Sequence, residues 1–210
     1  MFVIGAFGDG ADVRYNQQRE FIKKLLLKYD LGNTVFGIVS HGQDGKVILN
    51  FEFGGKADLV QRMIKDFKNP TDGIYITNAL SASKQLLDQS TRTKATKSIV
   101  FFIDSNSRTY YTKELEQAAA LKSAGYKLII VGVGGNIDRQ KLLPLVHTEK
   151  DLILLPDLGD VTGLLSIIKK AIKPGNKILE IQINIITFIC YYSLCSHDPN
   201  SKLISLSLCR

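Results

Sequence analysis

The chain has 210 residues, 45% hydrophobic and 22% charged, and a formal net charge of +7. That is an ordinary globular balance, long enough for one domain with a tail, and it excludes disorder over most of the length. The basic residues are scattered, as at Lys23, Lys24, Lys65, Lys94, Lys97, Lys169 and Lys170, with no arginine block and no aromatic-interleaved RNA-binding motif. They read as solvated helix faces, so nucleic acid is not an expected partner.

Cys190, Cys195 and Cys209 all fall near the C-terminus, so the body of the chain relies on neither internal disulfides nor a thiolate metal site. The opening Met1–Gly5 reads as a strand and not as a signal peptide, because no basic leader precedes it and the apolar stretch is short.

In chain order, Phe2–Ile4 predicts a buried strand, followed by a Gly-rich loop. Phe21, Ile22, Leu25, Leu26 and Tyr29 then recur at helical spacing, with Gly32 as a stop. Thr34–Ser40 and Lys46–Glu52 flank the short turn His41–Gly45 and predict a hairpin, hence one antiparallel strand. Helical patterns follow over Lys56–Phe67 and Thr77–Gln89. Ser98–Ile103 is the most continuously apolar run of the body, which marks a central strand buried on both faces and ending at Asp104.

A helix over Thr112–Ala124 closes at Gly125, and Tyr126–Val133 forms the next strand. A short helix over Asp138–Val146 and a strand over Asp151–Leu155 precede a last helix that starts near Asp160. This alternation predicts an α/β fold: three layers, doubly wound, with a mostly parallel six-stranded sheet and one antiparallel edge strand. The domain is expected over residues 1–175. Residues 176–210 are expected to be a tail, disordered or foreign to the domain. The apolar part of that tail carries Glu180, Gln182 and Asn184, so no membrane span is expected there.

Two glycine-rich loops invite a nucleotide reading. Gly5-Ala-Phe-Gly-Asp-Gly10 has neither the dinucleotide G-x-G-x-x-G spacing nor the phosphate-loop pattern, and Ile129–Gly135 lacks the third glycine at its proper distance. The histidines His41, His147 and His197 accompany no nucleophile motif. Enzymatic activity is not expected, and a nucleotide-binding enzyme of Rossmann-like topology remains an alternative.

The ordered set of local words resembles the von Willebrand factor type A and integrin inserted domains. Phe2–Ile4 with its polar loop and helix is similar to the family's opening. Ile76-Thr-Asn-Ala-Leu80 resembles its T-x-T-G-x-A-L motif, Ser98–Asp104 its central strand, and Tyr126–Gly134 its I-x-V-x-G-V-G strand. Leu152–Asp157 followed by Leu164 and Leu165 resembles its closing strand and helix, so the likeness covers about residues 1–173.

The resemblance implies an adhesion module. In the family a divalent ion, usually magnesium, sits at the top of the sheet on a metal-ion-dependent adhesion site, where a partner's carboxylate completes its shell. That site is built from D-x-S-x-S, a threonine before the T-G-x-A-L helix, and an aspartate after the central strand. Here Gly5, Phe7 and Asp9 fall on the Asp, Ser and Ser places, Ile74 falls on the threonine place, and Asp104 alone survives as itself. Gly, Phe and Ile side chains offer a hard cation no oxygen.

The site is therefore read as degenerate and no cofactor is expected, with magnesium held by Asp9 and Asp104 as the alternative. A structural role for Asp104, capping backbone amides at the strand end, is the favoured reading of that residue. The resemblance places a partner-binding face at Phe7, Asp9, Thr71, Asp72, Tyr75, Asp104 and Ser105. The expected function is metal-independent protein binding, with a matrix protein such as collagen as partner and an extracellular, secreted location. An intracellular scaffold within a multi-protein assembly is the alternative.

Overall fold

The computed structural model describes residues 1–6, 10–28, 35–40, 47–49, 51, 68–69, 75–104, 111–158 and 161–172, and all structural statements concern these. The predicted helix at 56–67, the hairpin turn and the tail at 176–210 lie outside them.

Six strands form one sheet: β1 (Phe2–Ile4), β2 (Ile38–Ser40), β3 (Val47–Leu49), β4 (Ser98–Asp104), β5 (Lys127–Val133) and β6 (Leu152–Leu155). Their spatial order is β3-β2-β1-β4-β5-β6. Every pairing is parallel except β2 with β3, so the hairpin supplies one antiparallel edge strand, as expected. Five helices accompany them among the described residues: α1 (Ala11–Lys28), α2 (Ile76–Asp88), α3 (Tyr111–Ser123), α4 (Arg139–Leu142) and α5 (Val161–Ile172). Residues Met1–Ile172 form one compact unit.

The strands alternate side chains between two cores, as period-2 geometry requires. Phe2, Ile4, Val100, Phe102, Ile129, Val131 and Val133 point to one face, where they meet Phe21, Ile22, Leu25 and Leu26 of α1 and Leu164, Leu165 and Ile168 of α5. Val3, Ile99, Phe101, Ile103, Leu128 and Ile130 point to the other, against Ile76, Ala79, Leu80 and Leu87 of α2 and Ala118 and Leu121 of α3. The central strands β4 and β5 are buried on both sides, which explains their unbroken apolar runs. On the first face the Phe21 and Phe102 rings meet edge to face with centroids 5.6 Å apart.

Several boundaries move from the sequence reading. Helix α1 begins at Ala11, well before the apolar repeat that starts at Phe21. The stretch predicted as one short helix over 138–146 is the single turn α4 followed by a 3₁₀ turn at Leu143–Leu145, because Pro144 has no N–H to continue an α-helical ladder. Asp138 caps α4, accepting from the backbone N–H groups of Gln140 and Lys141. Helix α3 stops at Gly125 as expected. Gly125 takes a φ of 75°, the Gly125 N–H donates to Lys122 O, and the Tyr126 N–H donates to Leu121 O. These are the two bonds of a Schellman cap.

Candidate functional site

Strands β1 and β4 are parallel neighbours, so their C-terminal ends, Ile4 and Asp104, finish on the same edge of the sheet. Helices α1 and α2 return from that edge, which makes it the crown where ligands of open α/β sheets bind.

The backbone just past β1 is held by side-chain amides. Gln18 is buried on α1 and takes Gly5 from both sides: the Gly5 N–H donates to Oε1 at 2.9 Å and Nε2 donates to the Gly5 carbonyl at 2.9 Å. Asn69 does the same for the next residue. The Ala6 N–H donates to Oδ1 at 3.1 Å, and Nδ2 donates to the Ala6 carbonyl at 2.8 Å. Two carboxamides thus satisfy both polar groups of two successive residues where the strand ladder ends, which buried backbone demands.

Asp104 closes β4 with only 1% of its side chain exposed. Its Oδ2 accepts from Arg14 Nε at 3.1 Å, a contact across 90 residues of sequence. The guanidinium folds back over the start of α1: a Cβ on Gly10 would lie 3.3 Å from Arg14 Nη1, and Gly10 has a φ of 71°. Gly10 therefore serves the crown twice, by allowing the left-handed turn into α1 and by leaving space for the arginine. A buried carboxylate deprived of such a partner costs about 3–5 kcal/mol.

Of the partner-binding face expected from the sequence, Tyr75 and Asp104 lie within the described residues, whereas Phe7, Asp9, Thr71, Asp72 and Ser105 lie outside them. Tyr75 is half-buried at the N-cap of α2, with extended backbone and no capping side-chain bond of its own. Helix α2 runs back toward the start of β4, where Lys97 Nζ donates to the Leu87 carbonyl at its far end, so Tyr75 and Asp104 share the crown. Thr77, on the glycine place of the T-G-x-A-L motif, has its hydroxyl buried with no hydrogen-bond partner among the described residues.

Arg14, Gln18 and Asn69 were not among the residues singled out from sequence. One signal was available for Gln18: it shares a helical stripe with Tyr15, Ile22 and Leu25, and a polar residue in a buried stripe must find a partner.

A divalent ion needs about six oxygen ligands. At the crown the Gly5 and Ala6 carbonyls already accept carboxamide N–H groups, and Asp104 Oδ2 accepts from a guanidinium. Phe7 and Ile74 have hydrocarbon side chains. Among the described residues no group of three or more His, Cys, Asp or Glu side chains could hold a metal. The described residues of the crown do not by themselves fit the ion that the resemblance implies, and Asp9, Thr71 and Asp72 lie outside them.

Comparison with known proteins places this geometry. Among solved structures, proximal thread matrix protein 1 from the mussel byssus superposes with a TM-score of 0.68 at 14% identity, over 80% of this chain and 45% of the mussel chain. The same mussel protein with its MIDAS motif occupied by zinc gives 0.68 at 15% identity, over 80% and 46%. Manganese-loaded TRAP protein of Plasmodium vivax gives 0.66 at 15% identity, over 81% and 71%. At these identities the likeness is one of fold, and the chain spans less than half the length of the mussel protein. No curated protein matches the sequence. Residues 8–164 match the von Willebrand factor type A domain, whose members are typically protein-binding or adhesion modules. With this match over most of its length and the sheet order above, the chain belongs to the von Willebrand factor type A domain family.

Proposed function

We propose that residues 1–175 form a non-enzymatic adhesion domain that binds a protein ligand outside the cell without a metal ion. The observation that carries this reading is the Arg14–Asp104 pair: the one family metal ligand retained in kind is engaged by an arginine of the same chain. On this reading the aromatic side chains of Phe7 and Tyr75, which the resemblance assigns to the partner face, make the contact by shape and apolar surface, with a matrix protein such as collagen as the partner class. An aromatic anchor at the centre of such a face contributes strongly to binding. No helix among the described residues is long and apolar enough to cross a membrane.

The test is binding of the purified chain to immobilised matrix proteins, collagen first, in magnesium and in EDTA. Saturable binding that is unchanged by EDTA and weakened by Tyr75→Ala supports the reading. Binding abolished by EDTA sinks the metal-free part of it, and saturable, stabilising binding of a nucleotide would favour the Rossmann-like enzyme instead.

A further inference from the structure

We infer that the guanidinium of Arg14 is the resident cation of the crown, standing where metal-loaded relatives carry an ion and balancing the charge of Asp104 from within the chain. The inference rests on the metal-free reading above and names the group responsible for it.

Asp104 has a side chain only 1% exposed, so ionised Asp104 needs a positive partner close by. In the zinc-occupied mussel protein and the manganese-loaded TRAP protein the fold accommodates a metal. Here Nε of Arg14 is 3.1 Å from Oδ2, on a side chain that keeps 23% exposure. The guanidinium is covalently part of the chain, so it is a permanent counter-ion, unlike a dissociable metal.

The two cations exclude each other. A divalent ion bound to Oδ2 at about 2.1 Å would lie within roughly 5 Å of Nε. At an effective dielectric of about 20, repulsion at that distance weakens metal binding by roughly a hundredfold or more. The surroundings are adapted to the arginine. Gly10 lacks the side chain that would crowd Nη1, and the carboxamides of Gln18 and Asn69 hold the adjoining strand end so that its carbonyls face N–H donors. Charge balance at the crown is then built into the sequence and does not vary with the metal content of the surroundings.

The test uses the full chain and needs no partner. Manganese is titrated into wild type and followed by Mn²⁺ electron paramagnetic resonance, while thermal unfolding is recorded with manganese and with EDTA. The expected result is no saturable site below millimolar manganese and the same midpoint in both media. Arg14→Met should lower the midpoint by roughly 5–15 °C, Arg14→Lys by clearly less, and the loss should largely vanish when Asp104→Asn is combined with Arg14→Met. If Arg14→Met does not fold, the comparison between Arg14→Lys and the double variant decides the same point.

A saturable micromolar manganese site in wild type overturns the inference. So does an Arg14→Met midpoint equal to wild type, or an equal loss in the Asp104→Asn background. Failure of the variant series alone leaves the metal-free adhesion reading standing, because that reading is judged by partner binding in EDTA.

Discussion

The side-chain amide of Gln18 pairs with both the N–H and the carbonyl of Gly5, each at 2.9 Å, so a residue of α1 completes the hydrogen bonding at the end of β1. Replacing Gln18 by Leu would leave two buried backbone groups unpaired, and each costs about 1–3 kcal/mol. Gln18→Leu should therefore destabilise the domain by about 2–6 kcal/mol in urea unfolding. Gln18→Glu should also destabilise it, because a carboxylate would face the Gly5 carbonyl with no N–H to donate. A Leu variant as stable as wild type would show that the clamp is dispensable.

Two glycines separate crowding from backbone strain. A Cβ on Gly132 of β5 would lie 2.7 Å from Leu154 Cδ2 and 2.9 Å from Ile137 Cδ1, both the ends of side chains that can shift. Gly132→Ala should cost about 1 kcal/mol, and Leu154→Ala should remove most of that cost when combined with it. At Gly125 the opposite holds: nothing lies within 4 Å of the added carbon, but φ is 75°. Gly125→Ala should cost about 1 kcal/mol through the left-handed backbone alone, with no neighbouring substitution able to relieve it. The measurement in both cases is a chemical-denaturation double-mutant comparison.

Stability should fall in strong alkali through one tyrosine. Tyr126 is 8% exposed, and its hydroxyl donates to Asp88 Oδ1 at 2.6 Å. The bond to Asp88 and, second, burial push the Tyr126 hydroxyl up to about 12 from an ordinary 10. The unfolded chain therefore loses this proton first. The stability it confers is complete below pH 10 and is lost as pH rises through 12. Urea midpoints compared across pH 9–12 should fall less steeply for Tyr126→Phe than for wild type, and parallel curves would refute the assignment. Asp88 is itself held below its usual range, by Lys84 first and Tyr126 second, so its contribution fades only as pH falls below that range.

At the start of β6 the buried carboxylate of Asp151 accepts from Thr148 Oγ1 at 2.9 Å and pairs with Lys127 Nζ at 3.0 Å on neighbouring β5. Thr148→Val keeps the shape and removes the hydroxyl donor. It should cost about 1–2 kcal/mol, read from the thermal midpoint. An unchanged midpoint would mean that the Lys127 contact suffices.

The sheet was readable because its signal is local. Ser98–Asp104 and Lys127–Val133 are apolar at nearly every position, which only strands buried on both faces require, and the hairpin turn announced the antiparallel edge. The first half of α1 was hidden for a physical reason. Between Ala11 and Glu20 only Tyr15 and Gln18 are buried, and one of them is polar, so no apolar period exists to be seen. The crown was only partly legible. Loss of ligand chemistry at Gly5, Phe7 and Ile74 is written in the residues themselves. The partner of Asp104 is not, because Arg14 lies 90 positions away and no spacing rule connects them. Amide capping by Asp104 is a reading of the residue's place at the strand end, and its ion pair with Arg14 is an addition that the sequence does not announce.

The paired grip on Gly5 and Ala6 bears on how quickly and how selectively this end of the molecule can engage anything. A loop that must settle before a ligand fits gives up conformational freedom at the encounter, and affinity suffers accordingly. Here the settling of these two residues belongs to folding. Their amide protons, donated to Gln18 and Asn69, should resist deuterium far longer than surface turns do, and a visitor at this edge meets a template that has stopped moving before it arrives.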